Sequence, residues 1–274
     1  MASSPPFKRI GLVAGRGVYP LLFCEAAKRA GVRHLTVAGV TDDADPVLAD
    51  YADHFEWVHA GQLGKTIKLF LKDDVKQVVF AGQVRPGKLF KGLRPDLRAA
   101  KVLAKLALKN ADTIFTGIAA EYERDGITVL PATTLLEDAL ASPGVLGKVK
   151  PSKAVKADID YGREIARETS RLDIGQTVVV KKGTVLAVEA FEGTDRAIRR
   201  GGELGRGGVT VVKLAKPGQD MRFDVPCIGM RTVESLIEAE AAALAVEVGR
   251  TLLLERDKVI TALNKAGIAL VGFE

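Results

Sequence analysis

The stretch VVKLAKPGQDMRFDVP, from Val211 to Pro226, puts lysine, arginine and aspartate where an apolar strand runs out. Lys213 lies inside the apolar run. Lys216, Gln219, Asp220, Arg222 and Asp224 follow around a Pro217–Gly218 turn, and Asp224 stands between Phe223 and Val225, just before Pro226. Charges set among apolar residues seldom lack partners. They pair internally, Lys213 with Glu189 for example, or they hold a ligand. Lysine and arginine neutralise phosphate oxygens. Carboxylates hold Mg²⁺, a hard ion bound through a few carboxylates together with substrate phosphate. The mixture suits phosphoryl or nucleotidyl chemistry.

A second stretch, VLAVEAFEGTDRAIRRGG from Val185 to Gly202, crowds Glu189, Glu192 and Asp195 at the end of another apolar run. Thr194 reads as the cap of a helix beginning near Asp195, and Glu192 and Asp195 suit the positive end of such a helix. Capping leaves Glu189 unexplained, because it ends a strand. A carboxylate there must be solvated, paired or bound to something positive.

Two more turns carry candidate chemistry. In AGRGVYP, Gly15 and Gly17 open a G-x-G-x-x-G pattern, and Pro20 occupies its third glycine position. The turn is either a tight strand-to-helix connection or a phosphate or sugar site built from backbone N–H groups, with Arg16 between the glycines. From Ala81 to Asn110, Arg94, Arg98, Lys101, Lys105 and Lys109 recur at helical spacing, with Leu97, Leu103 and Leu106 on another face. This is a solvated helix face or a basic helix lying on anionic lipid. Arg85 and Lys88 precede it at the C-terminal end of a strand, a better position for ligand contact than the helix face.

The elements that must hold these residues alternate in the first half of the chain. KRIGLVAG, HLTVAGV, QVVFAG and ITVLP read as strands, and VYPLLFCEAAKRAG as a helix stopped by Gly31. Such alternation predicts a parallel, doubly wound sheet whose ligands sit beyond the C-terminal ends of the strands. GVLGKVKPSKAVKAD, residues 144–158, lacks periodicity and reads as a linker. The expected organisation is an N-terminal domain over residues 1–143 and a second α/β domain over 159–274. In that second half ADIDYGREIARETSRL reads as an amphipathic helix. QTVVVKKGTVLAVEA reads as a hairpin turning at Lys182–Gly183, and GVTVVKLA and MRFDVP as strands. TVESLIEAEAAALAV reads as a helix capped by Thr232, and IALVGFE follows near the chain end.

The whole chain narrows the function classes. No run of about eighteen apolar residues exists to span a membrane, and the first residues lack the pattern of a secretory signal. Cys24 and Cys227 read as reduced thiols in a cytoplasmic protein, and His34, His54 and His59 have no metal-ligand spacing. The formal charge of +6 over 274 residues favours an anionic partner. A nicotinamide-dependent oxidoreductase could use Asp42 or Asp43 after the second strand, but Pro20 breaks its glycine fingerprint. A nucleic-acid-binding module needs aromatic residues among its basic ones. Aromatics are only 5% of this chain and the basic face has none, so no nucleic-acid partner is expected.

VVKKGTVLAVEAFEGTD, VVKLAKPGQDMRFDVP and VAGRGVYPLL together resemble the UDP-2,3-diacylglucosamine pyrophosphatase family of lipid A biosynthesis, the type unrelated to the calcineurin-like enzymes. The resemblance runs from Ile10 to Gly272. It implies a Rossmann-like N-terminal domain, a linker and an α/β C-terminal domain of its own type, with the lipid product between them. It implies hydrolysis of the pyrophosphate of UDP-2,3-diacylglucosamine to UMP and 2,3-diacylglucosamine 1-phosphate (lipid X). Mg²⁺ is the implied cofactor, with Mn²⁺ as a substitute. The implied location is cytoplasmic, peripheral to the inner face of the bacterial inner membrane, with transient contact to that surface and a homodimer left open. The family's essential aspartate falls on Asp224. The expected catalytic set is Asp224, Lys213 and Glu189, and the expected metal set is Asp224, Asp220 and Glu189. Lys216 and Arg222 are expected on phosphate, together with Lys213. Gly15, Arg16, Gly17, Gln83, Arg85, Thr194 and Gln219 complete the expected substrate contacts.

Overall fold

A computed structural model describes residues 6–84, 95–105 and 111–274. The chain forms two compact units, Met1–Leu136 with Asp220–Asp224, and Glu137–Gln219 with Val225–Glu274.

The first unit is built on a parallel sheet in the order β3-β2-β1-β4-β5: β1 is Arg9–Ala14, β2 His34–Val40, β3 His54–Val58, β4 Gln77–Ala81 and β5 Thr128–Val129. The central strands are apolar at successive positions because both faces are covered. Ile10, Leu12, Val37, Ala38, Val78 and Val79 are all fully buried. Helices α1 (Tyr19–Arg29), α2 (Leu63–Lys72), α3 (Leu97–Lys105) and α4 (Ala111–Arg124) connect the strands. Phe70 and Tyr122 pack in the core under α2 and α4, and a fully buried side chain of that kind is worth about 1.5–3 kcal/mol. The order reverses between β1 and β4, and beyond the C-terminal ends of such a pair lies the crevice that α/β sheets use for ligands.

The second unit carries a six-stranded mixed sheet, β6-β13-β11-β9-β7-β8. Its strands are β6 Gly144–Val145, β7 Thr177–Lys181, β8 Thr184–Val188, β9 Thr210–Lys213, β11 Ala243–Glu247 and β13 Ala269–Phe273. Strands β10 (Cys227–Ile228) and β12 (Leu252–Leu253) pair separately. The apolar residues of β7 and β9 alternate between two cores. Val179 and Val211 face Ile198 of α6 (Thr194–Gly205), Val233 of α7 (Met230–Glu238) and Val259 of α8 (Arg256–Lys265). Val178, Val180 and Val212 face Ile159 and Ala166 of α5 (Lys153–Arg171). Two helices reach the sheet through glycine. A Cβ on Gly162 would lie 2.7 Å from Val212, and one on Gly201 2.5 Å from Val179.

The α/β class and the Lys182–Gly183 hairpin turn, with φ of 49° and 71°, agree with the sequence reading. Three expectations need correction. Residues 144–158 are not a linker: Val145 pairs with Val271 on the edge of the second sheet, and the Ser152 hydroxyl accepts from the Val155 amide to start α5. The boundary falls between Leu136 and Glu137, and the second unit holds the whole segment. MRFDVP forms turns rather than a strand. The alanine-rich segment after Thr232 splits. Helix α7 starts from Gly229 with no side-chain cap and ends at Ala239, and Ala243–Glu247 becomes strand β11. Burial between β9 and β13 overrides alanine's helix propensity there.

Candidate functional site

In the first unit the loops after β1 and β4 cross at the switch point. The Arg16 amide donates to the Gln83 carbonyl at 2.8 Å, and the Gln83 amide returns to the Arg16 carbonyl at 3.1 Å. The Arg16 guanidinium reaches Gln83 Oε1 at 3.4 Å. A Cβ on Gly15 would stand 2.6 Å from the Gln83 carbonyl oxygen, so the crossing demands glycine. Gly17 has φ of 99° with open space where a side chain would be. The Gly15, Arg16, Gly17 and Gln83 group is therefore brought together at the start of α1. Pro20 removes one N–H donor from that helix start, and Val18 supplies no side-chain cap. Arg85 and Lys88 lie outside the described residues, as do Arg94, Leu106 and Lys109.

Asp220–Asp224 joins this same unit. Phe223 stacks on Phe115 (centroids 4.9 Å, planes 14° apart) and meets Phe80 edge-on at 5.0 Å. The Ala132 amide donates to the Met221 carbonyl at 2.8 Å. Arg222 Nη2 donates to Asp220 Oδ2 at 2.8 Å and Arg222 Nε to Oδ1 at 3.0 Å, while Nη1 reaches Glu123 at 3.2 Å. Hydrogen bonding from Arg222 holds the Asp220 carboxyl below the usual range, and Asp220 raises Arg222 in return. This corrects two expectations. Asp220 is not available as a metal ligand, and Arg222 is not a free phosphate cation, because a planar guanidinium and a carboxylate two residues apart satisfy each other. Asp224 is exposed. Its backbone amide donates to the Asp220 carbonyl at 3.0 Å.

In the second unit β9 and β8 are parallel to each other, flanking β7, so their C-terminal ends lie together. Lys213 pairs in register with Thr177, and the Glu189 amide donates to the Thr177 carbonyl at 2.8 Å. The Lys213 ammonium donates to Thr194 Oγ1 at 2.8 Å, and that hydroxyl donates to Glu189 Oε1 at 2.9 Å. The structure thus joins Lys213 to Glu189 through Thr194. Thr194 is not a cap: Gly193 holds that position, with φ of 83° and no side-chain bond.

The crowded carboxylates of this region divide among separate partners. Glu192 takes the Ala190 amide and Arg200, which hold its carboxyl below the usual range, the Arg200 bond first. Asp195 takes Arg231 at 3.3 Å and Thr232 at 3.4 Å. Lys216 is not a free phosphate contact, because its ammonium meets Asp173 at 2.6 Å. Gln219 closes the turn by accepting from the Lys216 amide at 2.8 Å, and its Nε2 is buried without a partner among the described residues.

The expected metal set draws Asp224 and Asp220 from the first unit and Glu189 from the second. Among the described residues no three His, Cys, Asp or Glu side chains are grouped to hold a metal. A single carboxylate with substrate phosphate is a common Mg²⁺ arrangement, and Asp224, whose carboxylate has no side-chain partner among the described residues, fits that mode. The basic helix face is also changed. Arg98 grips Asp125, Nη2 to Oδ1 at 2.9 Å, and Glu121 at 3.1 Å, so it braces α3 against α4 rather than facing solvent alone. Sequence reasoning missed Glu123, Phe115 and Thr177. Their types carry no signal, because each matters only through a neighbour distant in the chain.

Known proteins agree with this division. The LpxI N-terminal domain matches residues 9–139 and the LpxI C-terminal domain residues 142–271. The UDP-2,3-diacylglucosamine pyrophosphatase LpxI of Caulobacter vibrioides is 38% identical over 97% of this chain and 98% of its own length. Among solved structures, the biotin carboxylase domain of the Hydrogenobacter thermophilus 2-oxoglutarate carboxylase covers 65% of this chain and 35% of its own at 14% identity, with a TM-score of 0.28. Phosphoribosylglycinamide synthetase from Anaerococcus prevotii covers 68% and 40% at 12% identity, with a TM-score of 0.27. Likeness that low carries no functional meaning. The two domain matches and the full-length identity are decisive: the chain belongs to the LpxI family.

Proposed function

We propose that this protein hydrolyses the pyrophosphate bond of UDP-2,3-diacylglucosamine, releasing UMP and 2,3-diacylglucosamine 1-phosphate, as a step in lipid A biosynthesis. The observation that carries the reading is 38% identity over 97% of the chain to a pyrophosphatase of that specificity.

In the reaction a water oxygen bonds to one phosphorus while the bridging oxygen leaves with the other, giving two phosphate monoesters. Asp224 is the carboxylate we assign to the water, which it orients and whose proton it receives. Its exposure and the lack of a side-chain partner among the described residues support that role. Lys213 is assigned to a phosphate oxygen, and Arg16 with the Gly15–Gly17 backbone to substrate in the first unit. Mg²⁺ held by Asp224 and substrate phosphate would supply charge neutralisation on the phosphoryl oxygens and a more acidic water. Contact with the inner face of the bacterial inner membrane belongs to the same proposal, because the substrate carries two acyl chains. No helix among the described residues is long and apolar enough to cross a membrane.

The test is incubation with UDP-2,3-diacylglucosamine, with Mg²⁺ and with excess chelator. UMP and the lipid monophosphate are expected with Mg²⁺ and neither with chelator. Full turnover in chelator would remove the metal from the reading, and no UMP under any condition would remove the activity.

A further inference from the structure

The Lys213–Thr194–Glu189 chain lies wholly in the second unit and is built unlike an ordinary ion pair. Lys213 is 6% exposed and Glu189 9%. Two opposite charges at that depth gain most when they touch, and each is costly to bury when its needs are unmet. Here a hydroxyl stands between them. An ammonium can only donate, and an ionised carboxylate can only accept. The threonine proton therefore goes to Glu189 and its lone pair to Lys213. Two ammonium protons remain without a protein partner among the described residues, and Glu189 Oε2 is buried with none.

The surroundings show which charges compete for Lys213. Glu247, at the end of the neighbouring strand β11, is occupied by the Ala215 amide at 2.7 Å and by Arg250 at 3.5 Å. Asp195 turns to Arg231 and Thr232. Thr177 contributes only a hydroxyl, 3.5 Å from that of Thr194. Glu189 balances the lysine charge at one remove and leaves its remaining donors unspent. They lie at the C-terminal end of a parallel strand, where α/β sheets take their ligands.

We propose that Thr194 and Glu189 are positioning residues that hold the Lys213 ammonium, stripped of water, for a phosphate oxygen of the substrate. The role rests on the pyrophosphatase reading. A dehydrated, fixed cation stabilises phosphoryl charge better than a hydrated, mobile one, and Glu189 faces the lysine through Thr194 without closing it off.

The test uses the full chain with Thr194→Val, Thr194→Ser, Lys213→Met and the Thr194→Val/Lys213→Met double variant. It measures kcat, KM for UDP-2,3-diacylglucosamine and melting temperature. Thr194→Val is expected to lower kcat about tenfold to a hundredfold, as misplacement of a charged group does, with a nearly unchanged melting temperature. Thr194→Ser, which keeps the hydroxyl, should restore most of it. The double variant should be no slower than Lys213→Met alone, because Thr194 acts only through the lysine. Should Thr194→Val not fold, Thr194→Ala takes its place. Wild-type kcat in the variant lacking the hydroxyl, or effects of the two substitutions that multiply, would overturn the positioning role. A wild-type protein that releases no UMP would instead bring down the pyrophosphatase reading itself.

Discussion

Two charged clusters, read from sequence as parts of one acidic and basic site, are built on opposite plans. In the first unit Asp220 and Arg222 touch directly, side chains 28% and 29% exposed. In the second, Glu189 and Lys213 are buried and kept apart by the Thr194 hydroxyl. The residue types match, and the water around them does not. A half-exposed pair contributes little net stability and mainly fixes geometry, here the turn that carries Asp224. A buried pair holds charge in a medium that strengthens every interaction and punishes every unmet one. The first arrangement suits a scaffold and the second a charge kept ready.

The comparison breaks most visibly at Glu189. Glu189→Ala leaves the Lys213 ammonium buried with only a hydroxyl, and a loss of about 3–5 kcal/mol in a denaturant titration is expected. Replacing both charges, Lys213→Met with Glu189→Leu, should recover much of that stability in an inactive protein. Recovery of activity as well would deny Lys213 any part in the chemistry. Asp224→Ala comes next. Turnover should fall about a hundredfold or more, as removal of a transition-state interaction does. The melting temperature should hold, since the exposed side chain fills no cavity. A variant that turned over at the wild-type rate would leave the first unit's turn without its assigned purpose.

Smaller effects sharpen the contrast. Ser152→Ala removes the hydroxyl that accepts from the Val155 amide and should cost about 1 kcal/mol by the same titration. Little change would mean residues 144–158 are the loose connection that the sequence reading expected. Asp220 has its folded value lowered by the Arg222 bond. Its contribution is therefore present above the ordinary carboxylate range, about pH 4, and is lost as pH falls through the lowered value. Asp220→Asn should abolish that part of the acid limb in melting curves and leave stability at neutral pH within about 1 kcal/mol. Thr232→Ala should matter least, about 0.5 kcal/mol through its long 3.4 Å bond to Asp195 rather than through capping, because Gly229 and not Thr232 occupies the start of α7.

Some of the site's scaffold was legible in its local chemistry. The Gly15–Gly17 turn and the Pro217–Gly218 turn are short, and their geometry follows from the residues themselves. The errors share a cause. Thr194 was expected to cap a helix because threonine before an amphipathic run usually does. Its hydroxyl instead lies between Lys213 and Glu189, which β9 and β8 deliver from elsewhere in the chain. Arg222 was expected on phosphate because arginine near aspartate and lysine suggests a ligand, but Asp220 and Glu123 claim it first. Helix propensity failed for Ala243–Val246 because a segment whose alanines and aliphatics are buried on opposite faces of a sheet obeys packing rather than preference.

The amino-acid sequence alone determined the α/β class, strands β1, β2, β4 and β5 of the first unit though not β3 or α2, the hairpin at Lys182–Gly183 and the residues that could do chemistry. Those depend on periodicity, turn chemistry and side-chain type, which act over a few residues. Only the tertiary structure decided which charges are spent and which are kept. It paired Asp220 with Arg222, gave Asp220–Asp224 to the first unit, made residues 144–158 part of the second, and set a hydroxyl between Lys213 and Glu189. The reason is physical: the worth of a charge depends on its burial and its nearest partners, and both are set by contacts between segments that no local pattern encodes.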